Sequence, residues 1–242
     1  MRGVLLCGGQ GTRLRPFTEV VNKHLIRVGK LPMAEYPLLK MIEAGIKDLM
    51  VVSGGENFAA VVKYFGSGKK WNVSIVHAIQ DEAGGIAQAL WLARHFADKE
   101  KLLVVLGDNL FSMNLADTVR EFEHQDLYRS QVYVTHSDTP ERFGVVINDE
   151  NGNPCDIVEK PLQPPTNIVQ TGIYLYDSSV FRIIQGLEPS HRKELEITDV
   201  NRHYLKHGLM RLVKMNGWWT DCGTMDTLVQ AEQFLSIIPN AY

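Results

Sequence analysis

The chain has 242 residues, 45% of them hydrophobic, and a formal net charge of -3. That length and apolar content suffice for one large or two small domains with a packed core. The charge balance, without a basic stripe or tail, argues against a nucleic-acid partner. No apolar run approaches the roughly 20 residues of a bilayer-spanning helix, so no membrane association is expected. Cys7, Cys155 and Cys222 are odd in number and lack ligand-like spacing, which argues against a disulfide framework or zinc site. Met1 leads directly into RGVLLC with no basic-then-apolar leader, so a cytoplasmic location with reduced thiols is expected.

In chain order, short apolar runs predict strands near 2–7, 49–53, 73–78 and 102–106, separated by helical patterns near 33–45, 56–65 and 85–97. That alternation predicts βαβ units around a mostly parallel, buried sheet. Beyond residue 130 the rhythm changes: QVYVTH, FGVVIN, CDIVEK and TGIYLYD are strand-like with few helices between them. They are expected to add mixed or antiparallel strands that form the other wall of a cleft. Helical patterns return near 178–185, 197–207 and 225–237. The proline-rich PLQPPTN at 161–167 reads as a stiff loop.

The first strand ends in CGGQGTRLRP, residues 7–16. Glycines after a buried strand let backbone N–H groups approach an anion with no Cβ in the way. Arg13 adds a fixed, always-charged fork. A P-loop is excluded by the missing Gly-Lys-Ser/Thr ending, and a dinucleotide fingerprint by Leu14 at the third glycine position. Taken alone, the pattern also reads as a glycine turn with solvated arginines.

The longer stretch GGQGTRLRPFT, followed by NKHL and LPM, resembles the signature of the sugar-phosphate nucleotidyltransferases, and especially the thymidylyltransferases that act on glucose 1-phosphate. The resemblance continues in order through QDEAGGIAQAL (80–90), LGDNLF (106–111), PERFGVV (140–146), VEKP (158–161), TGIYLYD (171–177), RKELEITDVN (192–201) and WTDCGT (219–224). It implies an α/β Rossmann-like three-layer sandwich with a mostly parallel mixed sheet and a smaller β-rich sugar-binding lobe. Residues 1–242 are expected to form one nucleotidyltransferase domain. Its nucleotide lobe covers about 1–110 plus the segment around 221, and its sugar-phosphate lobe about 111–220. The resemblance is to the short form, so the C-terminal helical segment that longer members use for assembly and effector binding is expected to be missing; a homo-oligomer remains compatible with the sequence.

The implied reaction is attack by the phosphate oxygen of glucose 1-phosphate on the α-phosphorus of dTTP, giving dTDP-glucose and pyrophosphate. Both reactants are anions, so metal and cationic side chains are the natural catalysts. By resemblance, Gly8, Gly9, Gly11 and Thr12 hold the nucleotide, Arg13 binds the departing phosphates, and Lys23 reaches the α-phosphate. Asp108, at the carboxyl edge of the strand at 102–106, and Asp221 are the implied ligands of Mg²⁺, an ion that needs only one or two carboxylates. Read singly, Asp108 is also a turn residue and Asp221 a helix cap.

Gln80 presents the amide edge that pairs with thymine or uracil alike, so UTP remains an alternative to dTTP, and Gly85 allows close approach to the base. Read alone, Gln80 is a polar strand end. For the sugar phosphate the resemblance implies Asp108, Gly144, Glu159, Lys160, Gln170, Thr171, Gly172, Arg192 and Trp219. Glu159-Lys160 also reads as an exposed charged pair, and Trp219 as either a sugar platform or core. Gln170 stands where thymidylyltransferases usually carry a small apolar residue, so its amide is expected to face a different sugar hydroxyl or substituent. His24 is expected to make a loop hydrogen bond, and Cys7 to be buried and inert. A noncatalytic nucleotide-sugar sensor is the competing reading from another class.

Overall fold

The computed structural model describes residues 1–55 and 57–237. In chain order the elements are β1 (Arg2–Cys7), β2 (Arg27–Val28), β3 (Leu31–Pro32), α1 (Glu35–Glu43), β4 (Asp48–Gly54), α2 (Phe58–Phe65), β5 (Ser74–Gln80), α3 (Ile86–Trp91), α4 (Arg94–Ala97), β6 (Leu102–Leu106), β7 (Asn109–Phe111), α5 (Ala116–His124), β8 (Ser130–His136), β9 (Gly144–Asn148), β10 (Pro154–Glu159), β11 (Ile168–Tyr176), α6 (Val180–Gln185), α7 (Ile197–Lys206), β12 (Met210–Lys214), β13 (Trp219–Asp221) and α8 (Met225–Ile237). The helical pattern expected over 85–97 is divided into α3 and α4, because Leu92 and Ala93 donate to the carbonyls of Ala89 and Leu90 in tight i→i−3 bonds. The residue that opens the pattern expected at 56–65 lies outside the described residues.

Nine strands form one mixed sheet in which β5, β4, β1, β6, β11, β8 and β12 lie side by side. β1 pairs in parallel with both β4 and β6, and β4 with β5. β11 runs against β6 and β8, while β12 is parallel to β8. Thus β8 and β11, expected among the strands of the far wall, complete the central sheet. The β9–β10 hairpin adds to it where β6 has ended, pairing at Val145 with Val169 of β11.

Alternation along the buried strands sends side chains to both faces. Val4, Leu6, Leu102 and Val104 pack with Leu90, Phe181 and Val200 from α3, α6 and α7. Leu5, Leu49, Leu103 and Val105 pack with Leu38, Val61 and Phe122 from α1, α2 and α5. The result is a three-layer α/β sandwich. The connections from β1 to β4 and β5 use helices on one face, and the return to β6 uses helices on the other. The strand order therefore reverses between β1 and β6, and the crevice beyond their carboxyl ends is where open α/β sheets place ligands.

Candidate active site

Both flanks of this crevice carry residues singled out from the sequence. Gly8 leaves β1, and Gly9 and Gly11 have φ of 95° and 64°, a left-handed conformation costly for other residues. Thr12–Leu14 forms a short 3-10 turn closed by the Leu14 amide donating to the Gly11 carbonyl at 2.9 Å. Leu14 is fully buried in a small third core cluster with Leu110, Cys222 and Leu228. This anchor fixes its exposed neighbour Arg13 at the mouth of the site. A Cβ on Gly223 would stand 2.9 Å from Asp221 Oδ2, 3.0 Å from Arg13 Nη2 and 3.4 Å from Arg142 Nη2. One carboxylate and two guanidinium groups therefore close over that glycine.

Asp108 and Asp221, 113 positions apart, are joined by the two-stranded β7–β13 ladder. Asp221 lies opposite Asn109, and the Cys222 amide donates to the Asp108 carbonyl at 2.8 Å. Asp108 Oδ2 accepts from Lys23 Nζ at 2.6 Å and Oδ1 from Asn109 Nδ2 at 2.9 Å. Burial pushes the Asp108 carboxyl up, but Lys23, His24 and these hydrogen bonds outweigh it and hold the group well below the usual carboxylate range. Asp221 Oδ2 accepts from Arg142 Nη2 at 2.8 Å. Here burial and the nearby Asp108 prevail over Arg142, Arg13 and Lys23, and the carboxyl is pushed up to about 6. Asp221 does not cap α8, since Thr224 Oγ1 accepts from the Thr227 amide at 3.3 Å.

Among the described residues no group of three or more His, Cys, Asp or Glu side chains is arranged to hold a metal. Two juxtaposed carboxylates, one of them raised by the other's charge, nevertheless suit a hard cation that keeps waters and takes phosphate oxygens. The donor set fits Mg²⁺ on those terms.

A cleft of about 260 Å³ is lined by Gly8, Gly9, Lys23, Gln80, Gly85, Asp108 and Lys160 from the predicted set, together with Leu6, Ile86 and Leu106. A neighbouring, more polar cleft of about 370 Å³ lies beyond Gly9 and Lys23 toward Arg15 and Asn57. Gln80 Nε2 donates to the Gly85 carbonyl at 3.1 Å and to Gln88 Oε1 at 2.8 Å. Both amide hydrogens are thus engaged by the protein, and Gln80 faces Gly8 with its oxygen. His24 is buried and bonded to Asn22 Oδ1, with burial and Lys23 lowering its pKa to about 3. Burial pushes the Cys7 thiol up, which makes it a poor nucleophile.

The remaining predicted residues lie outside that cleft lining. Glu159 Oε1 faces Lys160 Nζ at 3.2 Å and Arg192 Nη1 at 3.4 Å. Lys160 has φ of 43°, a strained conformation for a non-glycine residue, steadied by its amide donating to the Phe143 carbonyl at 2.9 Å. Arg192 also engages Glu194 and Glu196 at 3.0 and 3.3 Å, so its charge is shared among three carboxylates. Gln170 does not project toward open solvent: it is 4% exposed and bonded to Thr198 and Asn201. Thr171 is buried and donates its hydroxyl to the Tyr133 carbonyl at 3.1 Å, a tie between β11 and β8 that leaves no hydroxyl proton for a ligand. Gly172 sits against Asn109, to whose Oδ1 its amide donates at 2.8 Å. Trp219 packs edge-on to Phe143 and donates Nε1–H to the same oxygen at 2.7 Å.

Three participants escaped the residue-by-residue reading: Arg142, Asn109 and Thr198. Each stands inside a motif already singled out, PERFGVV, LGDNLF and RKELEITDVN. Apart from Asp108 beside Asn109, their partners, however, are 79, 63 to 110, and 28 to 39 residues distant.

Residues 2–236 match the profile of the nucleotidyl transferase family. The chain belongs to the nucleotidyl transferase family. Among relatives of this nucleotidyl transferase, a glucose-1-phosphate thymidylyltransferase of Xanthomonas campestris pv. campestris is 38% identical over 240 residues, covering 98% of this chain and 81% of the relative. One from Neisseria meningitidis is 36% identical, covering 99% and 84%. A crystal structure of a Bacillus anthracis protein assigned as a glucose-1-phosphate thymidylyltransferase, in complex with a sucrose, superposes with a TM-score of 0.92 at 44% identity, covering 100% of this chain and 98% of that one. A UDP-glucose pyrophosphorylase complexed with UDP-glucose shares the fold, with a TM-score of 0.84 at 21% identity and 98% coverage of each chain.

Proposed function

We propose that this nucleotidyl transferase converts dTTP and glucose 1-phosphate into dTDP-glucose and pyrophosphate. The observation that carries the reading is the meeting of Asp108, Asp221, Arg13 and Lys23 at the sheet's switch point, next to a cleft walled by Gly8, Gln80 and Gly85. The thymidylyltransferase relatives give the substrate pair. The convergence of both carboxylates with the two cations also speaks for catalysis rather than sensing.

The backbone of Gly8, Gly9, Gly11 and Thr12 cradles the triphosphate. Gln80 accepts through its oxygen from the N3–H of the base, with Gly85 beside it. Arg13 follows the charge that accumulates on the pyrophosphate as the α-phosphorus–oxygen bond breaks. Lys23 turns from Asp108 to the α-phosphate as the sugar-phosphate oxygen forms its new bond there. Mg²⁺, held by Asp108 and Asp221, would supply charge neutralisation on the phosphates. On this reading the nucleotide is held by about 1–110 with the segment around 221, and the sugar phosphate by residues within about 111–220, whose β8, β11 and β12 share the central sheet and whose β9–β10 hairpin carries Glu159. There Glu159 receives sugar hydroxyls, and Lys160 and Arg192 meet the sugar's phosphate. No helix among the described residues is long and apolar enough to cross a membrane. We place the reaction in the cytoplasm, where nucleoside triphosphates are made.

The test is pyrophosphate release from a matrix of nucleoside triphosphates against sugar 1-phosphates. Fastest turnover with dTTP and glucose 1-phosphate is expected. Higher turnover with UTP would make the chain a uridylyltransferase, and binding without release from any pair would make it a sensor.

A further inference from the structure

Behind Glu159 a line of polar side chains runs into the core. Tyr176 Oη donates to Asn201 Oδ1 at 2.5 Å, and Asn201 Nδ2 donates to Gln170 Oε1 at 2.7 Å. Gln170 Nε2 donates to Thr198 Oγ1, and the Thr198 hydroxyl donates to Glu159 Oε2. Tyr176, Asn201, Thr198 and Gln170 are all buried, so the line has little exchange with water.

We infer that Gln170 is a positioning residue for the sugar end of the site, acting through Thr198 to fix the Glu159 carboxylate. The polarity of the line follows from its ends. A carboxylate can only accept, so the single Thr198 proton must point to Glu159. The Thr198 oxygen then needs a donor from behind, which the Gln170 amide supplies. Gln170 Oε1 must in turn face Asn201 Nδ2, leaving Asn201 Oδ1 for the Tyr176 hydroxyl. Reversing both amides would place Gln170 Oε1 against the Thr198 oxygen with no proton between them, the hydroxyl proton being committed to Glu159.

The consequence for Glu159 is a grip from two sides. Thr198 holds Oε2 from the core, while Lys160 and Arg192 hold Oε1 from the other side. Gly144 lies opposite Glu159 in the β9–β10 ladder, and a Cβ there would collide with Gln170 Nε2 and stand 2.8 Å from Thr198 Oγ1. The absence of a side chain at 144 is therefore what admits the glutamine to this position. A carboxylate fixed in this way presents its free lone pairs in one direction, which is what discrimination among sugar hydroxyls needs.

The inference rests on the reading that Glu159 receives the sugar, so Glu159→Gln is measured alongside. Steady-state kinetics with glucose 1-phosphate and dTTP are compared for the full chain, Gln170→Leu, Thr198→Val and the double variant. Each single variant is expected to raise KM for glucose 1-phosphate roughly tenfold, because both disturb the one charge-assisted bond of the line, from Thr198 to Glu159. KM for dTTP and kcat should stay within about twofold, and the double variant should be no worse than either single one, because both cut the same line. Thr198→Val is nearly isosteric and carries the test if Gln170→Leu does not fold. If Glu159→Gln raises the sugar KM while Gln170→Leu and Thr198→Val do not, the positioning role is overturned. Equal losses for both substrates, or additive effects in the double variant, also overturn it. If Glu159→Gln leaves the sugar KM unchanged, the sugar-binding reading itself is what fails.

Discussion

Two acidic centres in this molecule are held in different ways. Asp108 and Asp221 are brought together by main chain: the β7–β13 register and the Cys222 amide bond align them, and their side chains then meet Lys23 and Arg142. Glu159 is placed by side chains, with Thr198, Lys160 and Arg192 around it and Gln170 behind. Backbone register tolerates exchange of its neighbours' side chains, whereas a side-chain line changes whenever one member is replaced. On the function proposed above, the difference teaches that the phosphate chemistry would rest on the fold, while selection of the sugar would rest on particular residues around Glu159.

The largest effects should come from the main-chain centre. Asp108→Asn and Asp221→Asn are expected to lower kcat by about three orders of magnitude, near 4 kcal/mol of transition-state stabilisation, with circular dichroism unchanged. Retained turnover in either variant would break the comparison at its stronger end. Arg13→Ala and Lys23→Ala should each cost at least about two orders of magnitude, roughly 3 kcal/mol. Near-normal rates in both would remove their assigned roles.

The same centre predicts a pH dependence in chelated protein. The Asp221 carboxyl titrates near 6 in the folded chain, above its usual value, because of burial and Asp108. A raised carboxyl contributes stability that is complete below about pH 4 and is lost as pH rises through about 6, a change of up to about 3 kcal/mol. Denaturant unfolding in chelator should therefore show Asp221→Asn gaining stability over the parent at pH 8 and losing that advantage by pH 4. A pH-independent difference would contradict the assigned environment.

Among the smaller effects, Trp219→Phe removes one donor from Asn109 Oδ1 but leaves the Gly172 amide on it. A roughly threefold loss in kcat is expected, measured at saturating substrates, since a single neutral hydrogen bond is worth about 1 kcal/mol or less. A loss as large as that of Arg13→Ala would instead make Trp219 part of the reacting centre.

At the phosphate end the strands were legible from composition, whereas the roles of the residues at their ends followed only from the motif resemblance, because the glycine loop and Asp108 each read alone as a turn. β1 delivers the glycine loop and β6 delivers Asp108, and both strands are recognisable from composition alone. The link to Asp221 was not legible from periodicity, since β7 and β13 have three residues each, too few to show a period of two. Arg142 and Asn109 were hidden for a related reason: Arg142 meets Asp221, and Asn109 meets Gly172 and Trp219 besides its neighbour Asp108, all but the last far along the chain. Gln170 departs from its motif, a departure that suggests a sugar hydroxyl or substituent as its partner. The fold instead turns it toward Thr198 and Asn201, both on α7.

On the function proposed above, Asp108 and Asp221 share one divalent cation. A crystal grown with the nucleotide-sugar product and Mn²⁺, read by anomalous scattering, tests it most directly. A single peak bonded to both carboxylates and to a phosphate oxygen is the predicted result. A peak bonded to one aspartate alone, or two peaks serving them separately, would contradict it.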